Sequence, residues 1–367
     1  MLPLHYFQFK GPQFPDMKNL VAIIIFLLFY HIGFAQPVTI DNVPVPVEYY
    51  RMPDEPLDPS FTTYSVEVEA RFGGLSMSGY TETSLEDEYL QLSGYKEVSR
   101  DGDVEIEASI GDFNVFGERT DYRRHKKKDK SGKEITTTTY AKEIKYALPI
   151  AIKVVDKKGR ILEDQYIYSW TEQNTYTTSY YNSISELESY WSFNKTSKMS
   201  ELQKNKIREG FSKIRDLINN KYGYRLVKEN ARFETIGKKK HPDYDAYQHA
   251  LETLKEAFKT MDADKSPGGI KTIIKPSLDF YNAEGKKYVS KSKDDLKLSH
   301  INLFNQALAY FWMEDFEKAT LFAKEIQKMN GKDKDAKRLL EDIDYVKASL
   351  ERAGKKSRHG TMVGGKS

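Results

Sequence analysis

Apolar and polar positions along this chain follow two periods, and the change from one to the other divides it. From Thr63 onward, Val66, Val68, Ala70 and Phe72 fall on one side, and Glu67, Glu69 and Arg71 on the other. Period two with one polar side predicts a half-buried strand, ended by Gly73-Gly74. Residues 103–116 repeat the pattern through Val104, Ile106, Ala108 and Ile110. Residues 144–155 and 161–170 predict a hairpin around Asp156-Lys157-Lys158-Gly159. Two helices interrupt the strands. The first is short, capped at Ser84, with Leu85, Tyr89 and Leu92 on one face; the second covers 198–222, with Ile207, Phe211, Ile214, Leu217 and Ile218 in its stripe. Both leave through a glycine and a tyrosine, Gly94-Tyr95 and Gly223-Tyr224. From His241 the period becomes 3.6. Helices are predicted at 244–258, at 270–282 with an interruption at Pro276, in a pair over 298–329 that turns at Glu314-Asp315, and at 335–352. The expected fold class is α+β: an N-terminal antiparallel or mixed sheet with two helices on one face, then an all-α helical region.

The pair over 298–329 resembles a tetratricopeptide (TPR) repeat. Ala307 is the small residue where the helices approach, Tyr310 the aromatic that fills the gap, Asp315-Phe316 the turn, and Ala319 and Phe322 open the second helix. Gln306 stands where leucine is usual, and Gly331 where proline often ends the repeat. The resemblance implies an interaction scaffold whose first helices line a concave groove. It puts Phe304, Leu308, Phe311 and Trp312 there as candidate partner-binding residues; packing against the preceding helices is the other reading of that stripe. Residues 244–282 would be a degenerate repeat and 335–352 a capping helix. The middle region, through DVEIEASIGDF (103–113) and IAIKVVDKKGRIL (150–162), is similar to the α+β envelope domains of the TolB N-terminal or CsgG-like kind.

The uninterrupted apolar run 20–30, Lys18 before it and the small residues Gly33 and Ala35 after it predict an export signal cleaved after Ala35, with Met17 as the better start. A membrane anchor is the competing reading, but His31 and Gln36 cut the run short of a full span. The expected location is the periplasm or cell surface of a Gram-negative bacterium, with no transmembrane span after cleavage. The organisation expected is 1–35 signal, 36–61 proline-rich extended leader, 62–240 α+β domain, 241–353 TPR-like domain and 354–367 disordered tail.

Composition adds exclusions. Among 367 residues there is no Cys, so no disulfide, thiolate nucleophile or acylated cysteine exists. Charges nearly balance at a net +3, which gives no argument for nucleic acid. The one strong basic run carries Arg123, Arg124, Lys126, Lys127 and Lys128; it is read as a solvated hairpin tip or as a contact for an anionic surface. The tail 360–367 matches a phosphate-binding loop formally but has no following helix. Asp262 and Asp264 begin a calcium-loop pattern that Pro267 and Ile273 break. No catalytic motif, cofactor fingerprint or metal-ligand spacing stands out. The function expected is a non-enzymatic envelope scaffold or assembly adaptor that binds envelope proteins and is outer-membrane-associated. The alternative is a small-ligand carrier or enzyme with a pocket in the α+β domain.

Overall fold

The computed structural model describes residues 37–71, 73–288 and 292–362. The expected export signal lies outside these residues, as do Phe72 and the last part of the loop-like match at 363–367. The chain is α+β. Strands β1 (Ile40–Arg51) to β10 (Arg225–Ile236) form three sheets, and eight helices are present among the described residues.

The central sheet has five strands in the order β3-β2-β4-β7-β8: Lys96–Glu97, Thr63–Ala70, Val104–Ile110, Ile150–Asp156 and Ile161–Tyr168. It is mixed, because β2 runs parallel to β3 and β4 while β4, β7 and β8 alternate in direction. Helix α1 (Glu82–Tyr89) lies on β2, and the 38-residue α2 (Ile184–Lys221) lies on β7 and β8. They touch through Tyr89 and Phe211, whose ring centroids are 5.9 Å apart. Ile106, Ile152, Leu85, Phe211 and Ile214 are buried between helices and sheet; on the other face Lys153 bonds Glu107 at 2.9 Å in solvent. The cap of α1 is Thr81 rather than Ser84. Ser84 sits at the third helical position and completes a capping box with Thr81.

The two glycine–tyrosine exits meet. Tyr95 and Tyr224 lie 6.0 Å apart, and the Tyr224 N–H donates to the Ser93 carbonyl. Gly94, at φ 89°, comes so close to Tyr224 that a Cβ there would stand 2.9 Å from the tyrosine Cβ.

Strands β5 (Asn114–Lys128) and β6 (Glu134–Ala147) form a long hairpin, joined only near its base by β9 (Asn174–Thr177). The strand expected over 103–116 is therefore two, β4 and the start of β5. The residues expected at 144–155 divide at Pro149, between β6 and β7.

The proline-rich leader forms a ribbon. All twelve residues of β1 pair antiparallel with β10. Pro44 and Pro46 share the parity of Glu48 and Tyr50, whose backbone groups point away from β10: the Tyr50 N–H donates to the Arg358 carbonyl at 2.9 Å, and the Glu48 carbonyl accepts from His359 Nε2 at 3.0 Å. A missing proline N–H on that outward edge costs the ladder nothing.

Helices α3 (Tyr244–Lys259), α4 (Gly268–Ile273), α5 (Lys275–Gly285), α6 (Lys293–Trp312), α7 (Phe316–Met329) and α8 (Lys334–Arg352) follow. Pro276 opens α5, which explains the expected interruption. The ribbon packs on α3 and α6. Buried residues from Val38 to Met362 form one continuous core that crosses the expected boundary near residue 240. The tail expected to be disordered from Gly354 is ordered through Met362: Arg358 and His359 are buried polar residues. No helix of the described residues is long and apolar enough to cross a membrane.

Candidate functional site

Helix α6 carries the stripe singled out by the TPR resemblance. Ser292 caps it by accepting from the Asp295 N–H. Its buried side is unusually polar: Asn302, Asn305 and Gln306 are all enclosed. Asn305 has a clear purpose. Its carbonyl accepts from the Glu234 N–H at 2.8 Å and its amide donates to the Glu234 carbonyl at 2.7 Å. It thus satisfies the outer edge of β10 where a third strand would otherwise be needed.

The stripe itself is not an open groove. Phe304 is half-buried, stacked on His300 at 5.6 Å, and Leu308, Phe311 and Trp312 are buried against the ribbon and the tail. The stripe is therefore covered in part by the protein itself, at Phe311 and Trp312, while Phe304, Leu308 and Trp312 still border a cleft. The ribbon could not be foreseen as its cover, because β1 and β10 are separated by the whole central domain.

What covers Phe311 and Trp312 is specific. The Arg358 guanidinium lies 4.7 Å from the ring centroid of Tyr49, 4.8 Å from that of Phe311 and 5.1 Å from that of Trp312. Three ring faces around one cation make an aromatic cage. Glu314 closes it. Its carboxylate accepts from the Ser357 hydroxyl at 2.5 Å, from the Arg358 N–H at 2.8 Å and from Arg358 Nε at 3.2 Å, with His359 Nδ1 at 3.3 Å. The Arg358 and Glu314 side chains are 4% and 7% exposed, so the pair is dry. Burial works to raise the Glu314 pKa, but His359, Arg358 and Ser357 outweigh it and hold the carboxyl below its ordinary value. Burial lowers the Arg358 pKa against the pull of Glu314. Tyr49 is pushed up to about 12 by burial and by Glu229, to which its hydroxyl donates at 3.0 Å.

Glu314 occupies the turn between α6 and α7 at φ 61°, a left-handed conformation that favours glycine. The sequence pattern places the turn, but not the role of Glu314 or its neighbours Tyr49, Arg358 and His359. The one available signal was a glutamate where a helix end ordinarily asks for glycine or asparagine.

A cleft leads away from the cage between the ribbon, α6 and α8. A cavity of about 290 Å³ touches Tyr49, Trp312, Asp342 and Arg358. An adjoining one of about 540 Å³ touches Leu308, Trp312, Glu234, Asp335 and Asp342. Glu229 and Arg338 line both. Burial raises the Asp342 pKa.

The basic run lies on β5, just before the turn at 129–133. The hairpin base is fixed to α2: Trp191 Nε1 donates to Glu118 at 2.6 Å, Lys195 bonds Glu118 at 2.8 Å, and Lys142 bonds Glu188 at 2.7 Å. Farther out, Arg123 lies over Tyr180 at 4.2 Å, Arg124 over Tyr122 at 5.6 Å, and Lys126 pairs with Glu134 at 2.7 Å. Lys127 and Lys128 have no ion-pair partner among the described residues. The run is thus an exposed strand arm with part of its charge already engaged.

A further cavity, about 750 Å³, opens among α5, α6 and α7 beside Tyr281, Ser299, Gln306 and Phe322, and no carboxylate lines it. Among the described residues no group of three or more His, Asp or Glu is placed to hold a metal ion. Comparison with protein-family models gave no match, and comparison with curated proteins gave none either.

Proposed function

We propose that this chain is an exported, non-enzymatic scaffold of a Gram-negative envelope, an assembly adaptor that works through a TPR-like array. In this reading α3 and α5 form the degenerate repeat, α6 and α7 the well-formed one, and α8 the cap, so the helical region is an interaction module attached to an envelope-type α+β domain. Its partners are envelope proteins. One observation supports the reading: a linear segment of the chain, residues 357–360, sits across the α6 stripe with Arg358 in the cage of Tyr49, Phe311 and Trp312. A surface that holds one segment through a caged side chain and backbone bonds has the chemistry of peptide recognition. The test is crosslinking followed by pull-down of the full mature chain from native envelopes. Recovery of the same envelope proteins in replicate preparations is expected; recovery of none overturns the scaffold.

A further inference from the structure

We infer that the cage of Tyr49, Phe311, Trp312 and Glu314 is an arginine-reading site for a basic linear segment of a partner protein, and that the chain's own residues 357–360 are its placeholder. The inference rests on the scaffold reading and names the partner chemistry for that surface.

Three observations carry it. First, the cage matches a guanidinium. Three aromatic faces within 5.1 Å contact its π-surface, while Glu314 Oε1 meets Nε at 3.2 Å. A plain hydrophobic plug would need neither the carboxylate nor the rings in that arrangement. Second, recognition extends to the backbone of the inserted segment. The Tyr50 N–H donates to the Arg358 carbonyl, Glu314 accepts from the Arg358 N–H, and the Ala263 carbonyl accepts from the Gly360 N–H at 2.7 Å. These main-chain contacts suit a segment with arginine at that position, while the Ser357 hydroxyl on Glu314 and the His359 ring on the Glu48 carbonyl are side-chain contacts of the tail's own. Third, of the tail only Arg358 reaches the cleft that leads away from the cage. The cleft beyond it is left open, and its walls carry four carboxylates, Glu229, Glu234, Asp335 and Asp342, against three arginines, Arg51, Arg232 and Arg338. That excess of carboxylates complements a basic segment longer than the tail.

The third point also explains how a partner displaces the tail. A tethered segment competes at an effective concentration on the order of millimolar. A partner with only the same contacts would lose. One that sets its arginine in the cage and further basic residues along the cleft adds interactions the tail lacks. The tail then keeps the dry cage filled until such a partner arrives.

The test uses the full chain with Arg358→Ala and a labelled, acetylated peptide copying residues 355–361, followed by fluorescence polarisation. A second peptide carries alanine at the arginine position. The variant is expected to bind the arginine peptide at least tenfold more tightly than the wild-type chain does, and at least tenfold more tightly than it binds the alanine peptide. Equal binding of the two peptides, or equal binding by wild type and variant, overturns the site. If Arg358→Ala does not fold, the wild-type chain decides. Millimolar arginine peptide should speed amide hydrogen exchange at residues 357–360, and the alanine peptide should not; no difference overturns the inference. Concentration-dependent dimerisation abolished by Arg358→Ala would assign the site to a second copy and overturn the partner assignment. Failure here with envelope proteins still recovered by pull-down removes the cage alone; failure of the pull-down removes the scaffold.

Discussion

Glu314 combines two opposed effects in one residue. Its φ of 61° costs a non-glycine residue about 1–2 kcal/mol. Its carboxylate neutralises a dry guanidinium, and breaking such a pair by removing one partner costs about 3–5 kcal/mol. The second term is larger, so Glu314→Gly should lose stability although it relieves the backbone. A net loss of about 1–4 kcal/mol in urea unfolding is expected. Adding Arg358→Met should recover part of it, because the orphaned charge is gone and the aromatic faces still have an apolar side chain to pack on. A double variant no better than Glu314→Gly would mean the ion pair is not the source. The pKa direction adds a pH window. Glu314 is held below its ordinary value, so its contribution is complete above about pH 4.5 and is lost as pH falls through the lowered value. Little of this was legible beforehand. Sequence periodicity located the turn at Glu314, but its partners come from the far end of the chain.

At the scale of elements, the ribbon of β1 and β10 is the instructive case. Proline content argued against a helix and against a central strand, and that argument holds: β1 lies beside one partner strand with an outward edge. The spacing of Pro44 and Pro46 by two keeps both on that edge. Pro44→Val should therefore change stability by less than about 0.5 kcal/mol, as for an ordinary surface site. Val43→Pro, one residue away, removes a donor that points at β10 and should cost about 1–3 kcal/mol. Urea titration of the two variants separates them; equal effects would contradict the parity. Helix α2 teaches the reverse lesson. Its first half carries only a sparse buried face: Leu187 and Trp191 are buried, but Ile184 is 52% and Phe193 87% exposed, so large side chains fall on both sides. The arm of β5 and β6 was legible only as a charge run. Its anchoring to α2 depends on Glu118 and Lys142 meeting Trp191, Lys195 and Glu188, which no local pattern announces.

For the whole molecule, His300 joins three elements. From α6 its Nδ1 lies 2.9 Å from Glu234 on β10, and its Nε2 lies 3.1 Å from Asp333, which also caps α8 by accepting from the Ala336 N–H. Burial alone would lower its pKa; Glu234, Asp333 and the nearby Asp335 outweigh burial and raise it. A raised histidine pKa gives stability that is full below the ordinary value of about 6.5 and lost as pH rises through the raised value. Stability of the wild-type chain should therefore decline as pH climbs from about 6.5, and His300→Gln should flatten that part of the profile. Thermal unfolding at fixed ionic strength reads both; an unchanged slope in the variant would exclude His300 as the source.

The sequence by itself determined the α+β class, most strands of the central sheet, its short helix and the second half of its long one, the run of C-terminal helices and the turn at Glu314. It could do so because period two and period 3.6 are local consequences of which side chains must leave water. The tertiary structure alone decided what those faces are buried against. It paired the leader with a strand almost two hundred positions later, and it covered part of the α6 stripe with that ribbon. It also brought Arg358 from the tail into the rings of Tyr49, Phe311 and Trp312. Burial is not directional, so an apolar stripe states only that it will be covered; which segment covers it depends on contacts across the whole chain.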